Sequence, residues 1–273
     1  MEKNELTEQI KKKKTFLCVG LDTDIDQIPE HLKKIPNAVF EFNRQIIDAT
    51  IDHCVAYKIN TAFYEALGAR GWEIMEQTVN YIPGTHLKIA DAKRGDIGNT
   101  SSQYAKAFFE TLAFDAITVA PYMGEDSIRP FLEYEHKWTI VLGLTSNKGA
   151  TDFELKRLQE SGMYLYQHVL EKITTWGTTN NLMFVAGATQ AELFSEIRKI
   201  VPNHFLLVPG IGFQGGNLTD VSRYGMNKDI GLLVNASRAV IYAGEREDFA
   251  NESAIIAKQY AVEMSRLMEK FAQ

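Results

Sequence analysis

The sequence of 273 residues contains only two cysteines, Cys18 and Cys54, and both have apolar neighbours. Two cysteines so far apart exclude a disulfide framework and a CxxC metal pair. No segment approaches the roughly 18 consecutive apolar residues that a membrane-spanning helix needs. The segment Met1–Lys14 is too polar and charged for a signal peptide. We therefore expect a cytoplasmic protein that does not associate with membranes.

An excess of positive charge is also absent. Lys and Arg number 29 and Asp and Glu number 35, so the formal net charge is −6. Domains that bind nucleic acids usually carry basic surfaces, and this composition argues against such a partner. Hydrophobic residues make up 45% of the chain, which excludes a disordered protein. The six histidines are scattered, and no cluster of ligand residues predicts a metal site.

Eight short apolar or β-branched segments recur along the chain. They are Phe16–Asp22, Val55–Asn60, His86–Asp91, Ala116–Pro121, Thr139–Leu144, Leu182–Ala188, Phe205–Pro209 and Gly231–Ala236. The amphipathic segments between them include Val39–Thr50, Gly71–Tyr81, Ser101–Leu112, Gly162–Thr174, Ala191–Ile200 and Leu218–Tyr224. Strands that alternate with helices form right-handed βαβ units and a parallel sheet.

Eight such units in a chain of this length predict an α/β protein with the (β/α)8 TIM-barrel fold. A doubly wound open sheet is the alternative. No linker rich in Pro, Ser or Gly divides the chain, so we expect a single barrel domain over residues 1–273, with residues 1–14 as an N-terminal helical extension. The lysine run in that extension is expected at the end of its helix, where cations complement the helix dipole.

Polar residues follow many of the predicted strands at their carboxyl ends. They are Asp22, Lys58, Asn60, Asp91, Lys93, Thr145, Ser146, Asn235 and Arg238. In a barrel these ends converge on one face, where active sites lie. A purely structural chain would have no reason to place so much charge on one rim, so the pattern favours an enzyme.

The segment Ile89–Thr100 carries the most chemistry. Asp91 and Lys93 are two residues apart at the end of a strand, so alternation predicts that their side chains leave the same face. Asp96 follows on the loop that opens the next helix, and Lys58 is expected from a neighbouring strand. Such an alternating array keeps a lysine protonated and an aspartate ionised. A structural ion-pair network is the alternative, but the repeated charge on adjacent strand ends favours a functional site.

A glycine-rich segment, Pro209–Gly216, follows the seventh predicted strand and formally matches GxGxxG. We reject a dinucleotide site, because that fingerprint belongs to the first βα turn of a Rossmann unit. In a barrel, the loops after strands 7 and 8 form the usual phosphate site. Arg238 would supply a planar fork of donors, and Gln214 a neutral donor. The segment therefore predicts a phosphorylated small molecule, with a plain glycine-rich connection as the alternative.

The segment Ala90–Ile97 resembles the active-site signature of the orotidine 5′-phosphate decarboxylase family. Further segments are similar to its bacterial subgroup with the longer chain: Cys18–Asp22, Phe63–Gly68, Thr145–Asn147, Val208–Gly216 and Asn235–Arg238. The DxKxxD pattern alone is shared with related sugar-phosphate barrels. The specificity of the resemblance comes from the full set, which occurs in family order over about residues 15–245.

The resemblance implies decarboxylation of orotidine 5′-phosphate to uridine 5′-phosphate (UMP), the last step of de novo pyrimidine biosynthesis, without a metal or organic cofactor. It assigns the catalytic array to Lys58, Asp91, Lys93 and Asp96. Lys93 would donate the proton that replaces CO2 at C6, and Asp91 would lie against the substrate carboxylate.

The same resemblance assigns substrate binding to Asp22, Thr100, Ser146, Gln214, Gly215 and Arg238. Asp22 and Lys58 would bind the ribose, Ser146 the pyrimidine ring, and the last three the 5′-phosphate. Asp96 and Thr100 would reach the active site of a partner subunit, which implies a homodimer with shared sites.

Two other functions stay open. One is a metal-dependent sugar-phosphate decarboxylase or aldolase of the same barrel group, which would pass through an enediolate. The other is a phosphate-binding barrel without catalysis. No role is assigned to Glu65, for which a place outside the site is the default expectation.

Overall fold

The computed structural model describes residues 1–211 and 216–272. Within them, parallel strands close into a barrel in the order of the sequence. The strands are β1 (Leu17–Gly20), β2 (Ala56–Asn60), β3 (Leu87–Arg94), β4 (Ala116–Val119), β5 (Trp138–Leu144), β6 (Leu182–Ala186), β7 (Phe205–Val208) and β8 (Leu232–Ala236). Each strand overlaps one predicted segment, although β3 continues to Arg94, three residues beyond its prediction. The (β/α)8 prediction is therefore confirmed, and the open sheet is excluded because β1 pairs with β8.

Helices connect the strands on the outside of the barrel. The α-helices of the described residues are α1 (Lys3–Lys13), α2 (Glu30–Lys33), α3 (Ala38–Thr50), α4 (Thr61–Glu65), α5 (Ala69–Tyr81), α6 (Gly98–Lys106), α7 (Glu125–Leu132), α8 (Leu165–Ile173), α9 (Phe194–Ile200), α10 (Leu218–Gly225), α11 (Arg238–Ile241) and α12 (Phe249–Phe271). Helix α6 continues as the π-helical segment Ala107–Thr111. In these ranges, no helix has the length and apolarity to cross a bilayer.

Two predicted helices begin too early. Helix α8 starts at Leu165 instead of Gly162, because Gly162 has a φ of +71° and Tyr164 still pairs with Arg157 in an antiparallel bridge. Helix α9 starts at Phe194 instead of Ala191, since the residues before it form a 3-10 helix. Hydrophobic periodicity locates a helix but does not show at which residue the preceding turn ends and the helix begins.

Helix α1 lies across the face of the barrel formed by the amino ends of the strands. Leu6 and Ile10 are fully buried beneath it. The Lys13 ammonium donates to two backbone carbonyls of the segment before β2, at 2.6 and 2.9 Å. At the other end, the Lys3 ammonium donates to the Asn203 carbonyl before β7, at 3.1 Å. The lysine run lies at the end of α1, as predicted, and the helix closes this face.

Two buried histidines lie at the same face, His86 just before β3 and His204 just before β7. Burial lowers the pKa of His86 to about 4, and the Lys13 ammonium 2.7 Å from its Nε2 acts in the same direction. Burial, assisted by Arg198, also lowers the pKa of His204 to about 4. Both imidazoles are therefore neutral in the folded protein at pH 7 and resist protonation.

We expect the free energy of unfolding to decrease as the pH falls from about 6.5 to about 4. In that window the unfolded chain binds protons that the folded imidazoles do not, which costs on the order of 3 kcal/mol of stability per histidine. Urea unfolding at several pH values measures this decrease. His204→Leu should reduce the pH dependence, whereas His168→Gln, at an exposed histidine, should retain it. An unchanged slope in His204→Leu would contradict the assignment.

Candidate active site

The predicted array of charges is brought together at the carboxyl ends of β1, β2 and β3. The Lys58 ammonium donates to Asp22 Oδ1 at 3.2 Å and to Asp91 Oδ2 at 3.0 Å. The Lys93 ammonium donates to Asp91 Oδ1 at 2.5 Å. The four side chains thus form one chain of alternating charge, in which Asp91 accepts from both lysines.

The array fixes the ionisation of Lys58 and Asp91. Burial opposes the charge on Lys58, whose side chain is 5% exposed, but the carboxylates of Asp22 and Asp91 outweigh burial and raise its pKa. Burial alone would raise the pKa of Asp91, yet Lys58 and Lys93 hold it well below its usual range. At neutral pH the site therefore presents an ionised carboxylate between two ammonium groups.

Lys93 reaches the array from an irregular backbone. Its φ is +48°, in the left-handed region that residues other than glycine rarely adopt. The register of β3 against β4 shifts here: Ala90 pairs with Ile117, and Arg94 pairs with Val119. Four residues of β3 therefore advance beside two of β4. The predicted common face of the two charged side chains exists, but through this bulge and not through regular strand alternation.

Thr118 of β4 belongs to the array and was missed in the sequence. Its hydroxyl accepts from the backbone N–H of Lys93 at 2.9 Å and donates to Asp91 Oδ1 at 3.1 Å. The side chain is buried. The available signal was a polar residue within the short apolar strand Ala116–Val119, which strand propensity alone would also explain.

Glu65 has a structural partner that the sequence did not predict. Its carboxylate pairs with the guanidinium of Arg94, the residue after Lys93. The same guanidinium lies 5.5 Å from the ring centroids of Tyr104 and Phe108 and donates to a backbone carbonyl of β3. The outer side of the bulge is therefore attached to α4 and α6.

Hydrogen bonds from the buried Tyr64 and the partly buried Tyr242 hold the loop after β1, which carries Asp22. The Tyr242 hydroxyl donates to the Asp22 carbonyl at 3.2 Å and accepts from the Asp24 N–H at 2.8 Å. The Tyr64 hydroxyl donates to the Leu21 carbonyl at 3.0 Å. Two tyrosines thereby fix the backbone on both sides of the carboxylate that binds Lys58.

A cleft opens beside the array, between β1 and the loops after β7 and β8. Its lining residues are Asp22, Lys58, Asp91, Pro209, Gly210, Ile211, Asn235, Ser237, Arg238 and Ala239. A Cβ at Gly20 would lie 1.9 Å from the Ser237 hydroxyl oxygen, so only glycine permits this approach. The structure places Arg238 in the cleft as predicted, whereas Gln214 and Gly215 lie outside the described residues.

Three predicted residues, all described by the structure, neither line the cleft nor join the array. Asp96 Oδ1 accepts from the Ile97 N–H at 2.7 Å and, in the described part of the chain, forms no hydrogen bond or ion pair with the array. Thr100 is exposed in the first turns of α6. Ser146 lies in the loop after β5, where its backbone packs directly on Gly187. The described residues of the chain therefore bring together only part of the predicted site.

The carboxylates of the site are already paired with an ammonium group. The Lys58 ammonium lies between the Asp22 and Asp91 carboxylates, so these oxygens already share a cation. Over residues 1–211 and 216–272, no group of three or more His, Cys, Asp or Glu side chains is arranged to hold a metal ion.

The fold and the site define a (β/α)8-barrel protein. Its cleft contains an arginine at the end of β8 and has a Lys/Asp array at its edge. The cleft lies at the face where barrel enzymes carry their active sites. A family model described as Orotidine 5′-phosphate decarboxylase / HUMPS family matches residues 15–252. The chain belongs to this family.

Individual relatives are similar over nearly the whole chain. An orotidine 5′-phosphate decarboxylase of Phocaeicola vulgatus is 56% identical, over 98% of this chain and 99% of that protein. The structure of an OMP decarboxylase from Leishmania donovani is 33% identical with a TM-score of 0.84, over 98% of both chains. A UMP synthase of the same organism is 36% identical with a TM-score of 0.82, over 94% of this chain but 56% of that one.

Proposed function

We propose that the protein decarboxylates orotidine 5′-phosphate to UMP and CO2, the last step of de novo pyrimidine biosynthesis. Family membership and the relatives named above support this activity. The observation that carries it is the Lys93 ammonium held 2.5 Å from an ionised Asp91, at the edge of a cleft that contains Arg238.

The array supplies the chemistry that this reaction needs. Loss of CO2 leaves an electron pair on C6 of the pyrimidine, with no adjacent carbonyl to absorb the charge. The Lys93 ammonium, positioned in advance, stabilises this charge in the transition state and then transfers its proton to C6. Asp91 orients that ammonium and, because it is ionised, repels the substrate carboxylate that must leave.

The remaining residues are proposed to bind the substrate. Asp22 and Lys58 bind the ribose hydroxyls, and Ser146 binds the pyrimidine ring. Arg238 binds the 5′-phosphate together with Gln214 and the backbone at Gly215. These contacts lie away from C6, so their binding energy can orient the reacting carbon against Lys93.

A homodimer with shared sites is part of the proposal, with Asp96 and Thr100 serving the partner's cleft. Asp96 is separate from the array of its own chain, and the loops around it expose large apolar side chains. Tyr122 is 93% exposed, and Ile97 and Met123 are also exposed. Burial of such side chains against a second copy is favourable. We further propose one domain over residues 1–273, acting in the cytoplasm without a cofactor.

Mixed dimers test the shared sites. Lys93→Ala and Asp96→Ala should each be inactive alone, yet a mixed dimer contains one site with both residues intact. After equal mixing and subunit exchange, half of the dimers are mixed, so about a quarter of the wild-type activity should return. The spectrophotometric rate after mixing measures this. Absence of any recovery, with exchange verified by mass spectrometry, would contradict shared sites.

The proposed activity is tested by incubating the purified protein with orotidine 5′-phosphate and following its ultraviolet absorbance and the release of UMP. Turnover that survives dialysis against EDTA supports the proposal. Turnover of a sugar phosphate that EDTA abolishes would instead indicate the metal-dependent barrel enzymes. Binding of UMP without turnover of either substrate would indicate a phosphate-binding barrel.

A further inference from the structure

We propose that Thr118 is a positioning residue for Lys93, because its one hydroxyl holds both the backbone of the lysine and the carboxylate that its ammonium binds. The inference rests on the proposed function, since it assigns to Thr118 a part in the same reaction. Thr118 itself lies behind Asp91 and does not line the cleft.

The two hydrogen bonds of Thr118 use different capacities of the hydroxyl. The oxygen accepts the Lys93 N–H at 2.9 Å through a lone pair, and its single hydrogen is directed to Asp91 Oδ1 at 3.1 Å. Both bonds are therefore made at once. The same Asp91 oxygen accepts the Lys93 ammonium at 2.5 Å, which closes a loop from the lysine backbone through Thr118 and Asp91 to the lysine head group.

Packing does not fix the lysine side chain, which is 50% exposed. Its four-carbon stem has many accessible rotamers, so its position depends on how its two ends are held. The backbone end has a φ of +48° inside a bulge, a conformation that surrounding contacts must impose. At that bulge the Lys93 N–H donates to the Thr118 side chain at 2.9 Å.

Valine has nearly the shape of threonine and suits a strand, but it can replace neither bond. In Thr118→Val, the Lys93 N–H loses its acceptor and Asp91 Oδ1 loses its hydroxyl donor. The backbone of Lys93 can then leave the left-handed conformation, and its ammonium is no longer held in position to protonate C6. Thr118→Ser keeps the hydroxyl and removes only a methyl group, so it is the matched control.

The test compares the wild type, Thr118→Val and Thr118→Ser in steady-state decarboxylation of orotidine 5′-phosphate. Loss of hydrogen bonds that hold charged groups predicts a kcat about 10- to 100-fold lower in Thr118→Val. KM should stay close to the wild-type value, because the phosphate and ribose contacts are untouched. Thr118→Ser should restore most of kcat. A wild-type kcat in Thr118→Val, or a Thr118→Ser variant as slow as Thr118→Val, would overturn the proposal.

Crystal structures of the two variants separate this inference from the proposed function. An inactive wild type would refute the decarboxylase activity, whereas the position of Lys93 can be compared without any substrate. Thr118→Val should show Lys93 outside the left-handed region or its ammonium displaced from Asp91, and Thr118→Ser should show neither change. An unchanged Lys93 in a folded Thr118→Val variant would overturn the positioning role.

Discussion

Lys93→Ala is expected to lose almost all decarboxylation activity. Its kcat should be about 10²- to 10⁴-fold lower, which is the range typical of a lost general acid. The loss should be larger still where the ammonium also stabilises the charge on C6. Affinity for UMP should change little, because the proposed ribose and phosphate contacts do not involve Lys93. Stopped reactions analysed for UMP give the rate, and calorimetric titration gives the affinity.

Two further variants show whether this loss of activity comes from the proton of Lys93 or from its positive charge alone. Lys93→Arg keeps a positive charge but cannot release a proton at neutral pH, so it should remain nearly as slow as Lys93→Ala. Lys106→Ala, at an exposed lysine of α6, should keep the wild-type rate. A Lys93→Ala variant that turns over within about tenfold of the wild type would contradict the role of Lys93 as the acid.

Lys58→Met should lower the free energy of unfolding by about 3–5 kcal/mol, which is the cost of breaking a buried ion pair from one side. The Lys58 side chain is 5% exposed and bridges Asp22 and Asp91. Without Lys58, both carboxylates stay in the barrel and repel each other, and of the two ammonium groups in the array only that of Lys93 remains to offset their charge. Urea unfolding at pH 7, with the slope checked for constancy, measures the change.

Lys199→Met is the matched comparison, because Lys199 also pairs with a carboxylate but its side chain is 70% exposed. An exposed pair of this kind contributes about 0–1 kcal/mol. Lys58→Met together with Asp22→Asn should recover part of the loss, because one uncompensated charge is removed. Equal losses in Lys58→Met and Lys199→Met would show that the array does not contribute to stability.

The fold could be predicted because a parallel barrel buries both faces of its strands, and such strands appear as continuous apolar segments. The segments at Leu182–Ala186 and Phe205–Val208 are buried along their whole length. Helix boundaries were less accurate, because the start of α8 depends on a positive φ at Gly162 and on a bridge formed by Tyr164. Neither feature leaves a periodic signal.

The candidate site was predictable only as far as residue type and strand order carry information. Asp22, Lys58, Asp91 and Lys93 meet because their strands are neighbours in the barrel. The bulge at Lys93 has no sequence pattern of its own, so the contact of Thr118 with Lys93 could not be predicted. The Asp96 prediction requires a second chain, and the predictions for Gln214 and Gly215 fall on residues outside those described.

Helix α1 also has a consequence for how the chain is made. Its Lys3 ammonium binds a carbonyl at Asn203, 200 residues later, and a carboxylate at Asp229. At the usual 5–20 residues per second, synthesis leaves α1 without these partners for about 10–40 s. During that interval Leu6 and Ile10 have no complete surface to cover them. Helix α1 is thus among the last to dock, and its Leu6 and Ile10 side chains stay accessible to chaperones until the barrel closes.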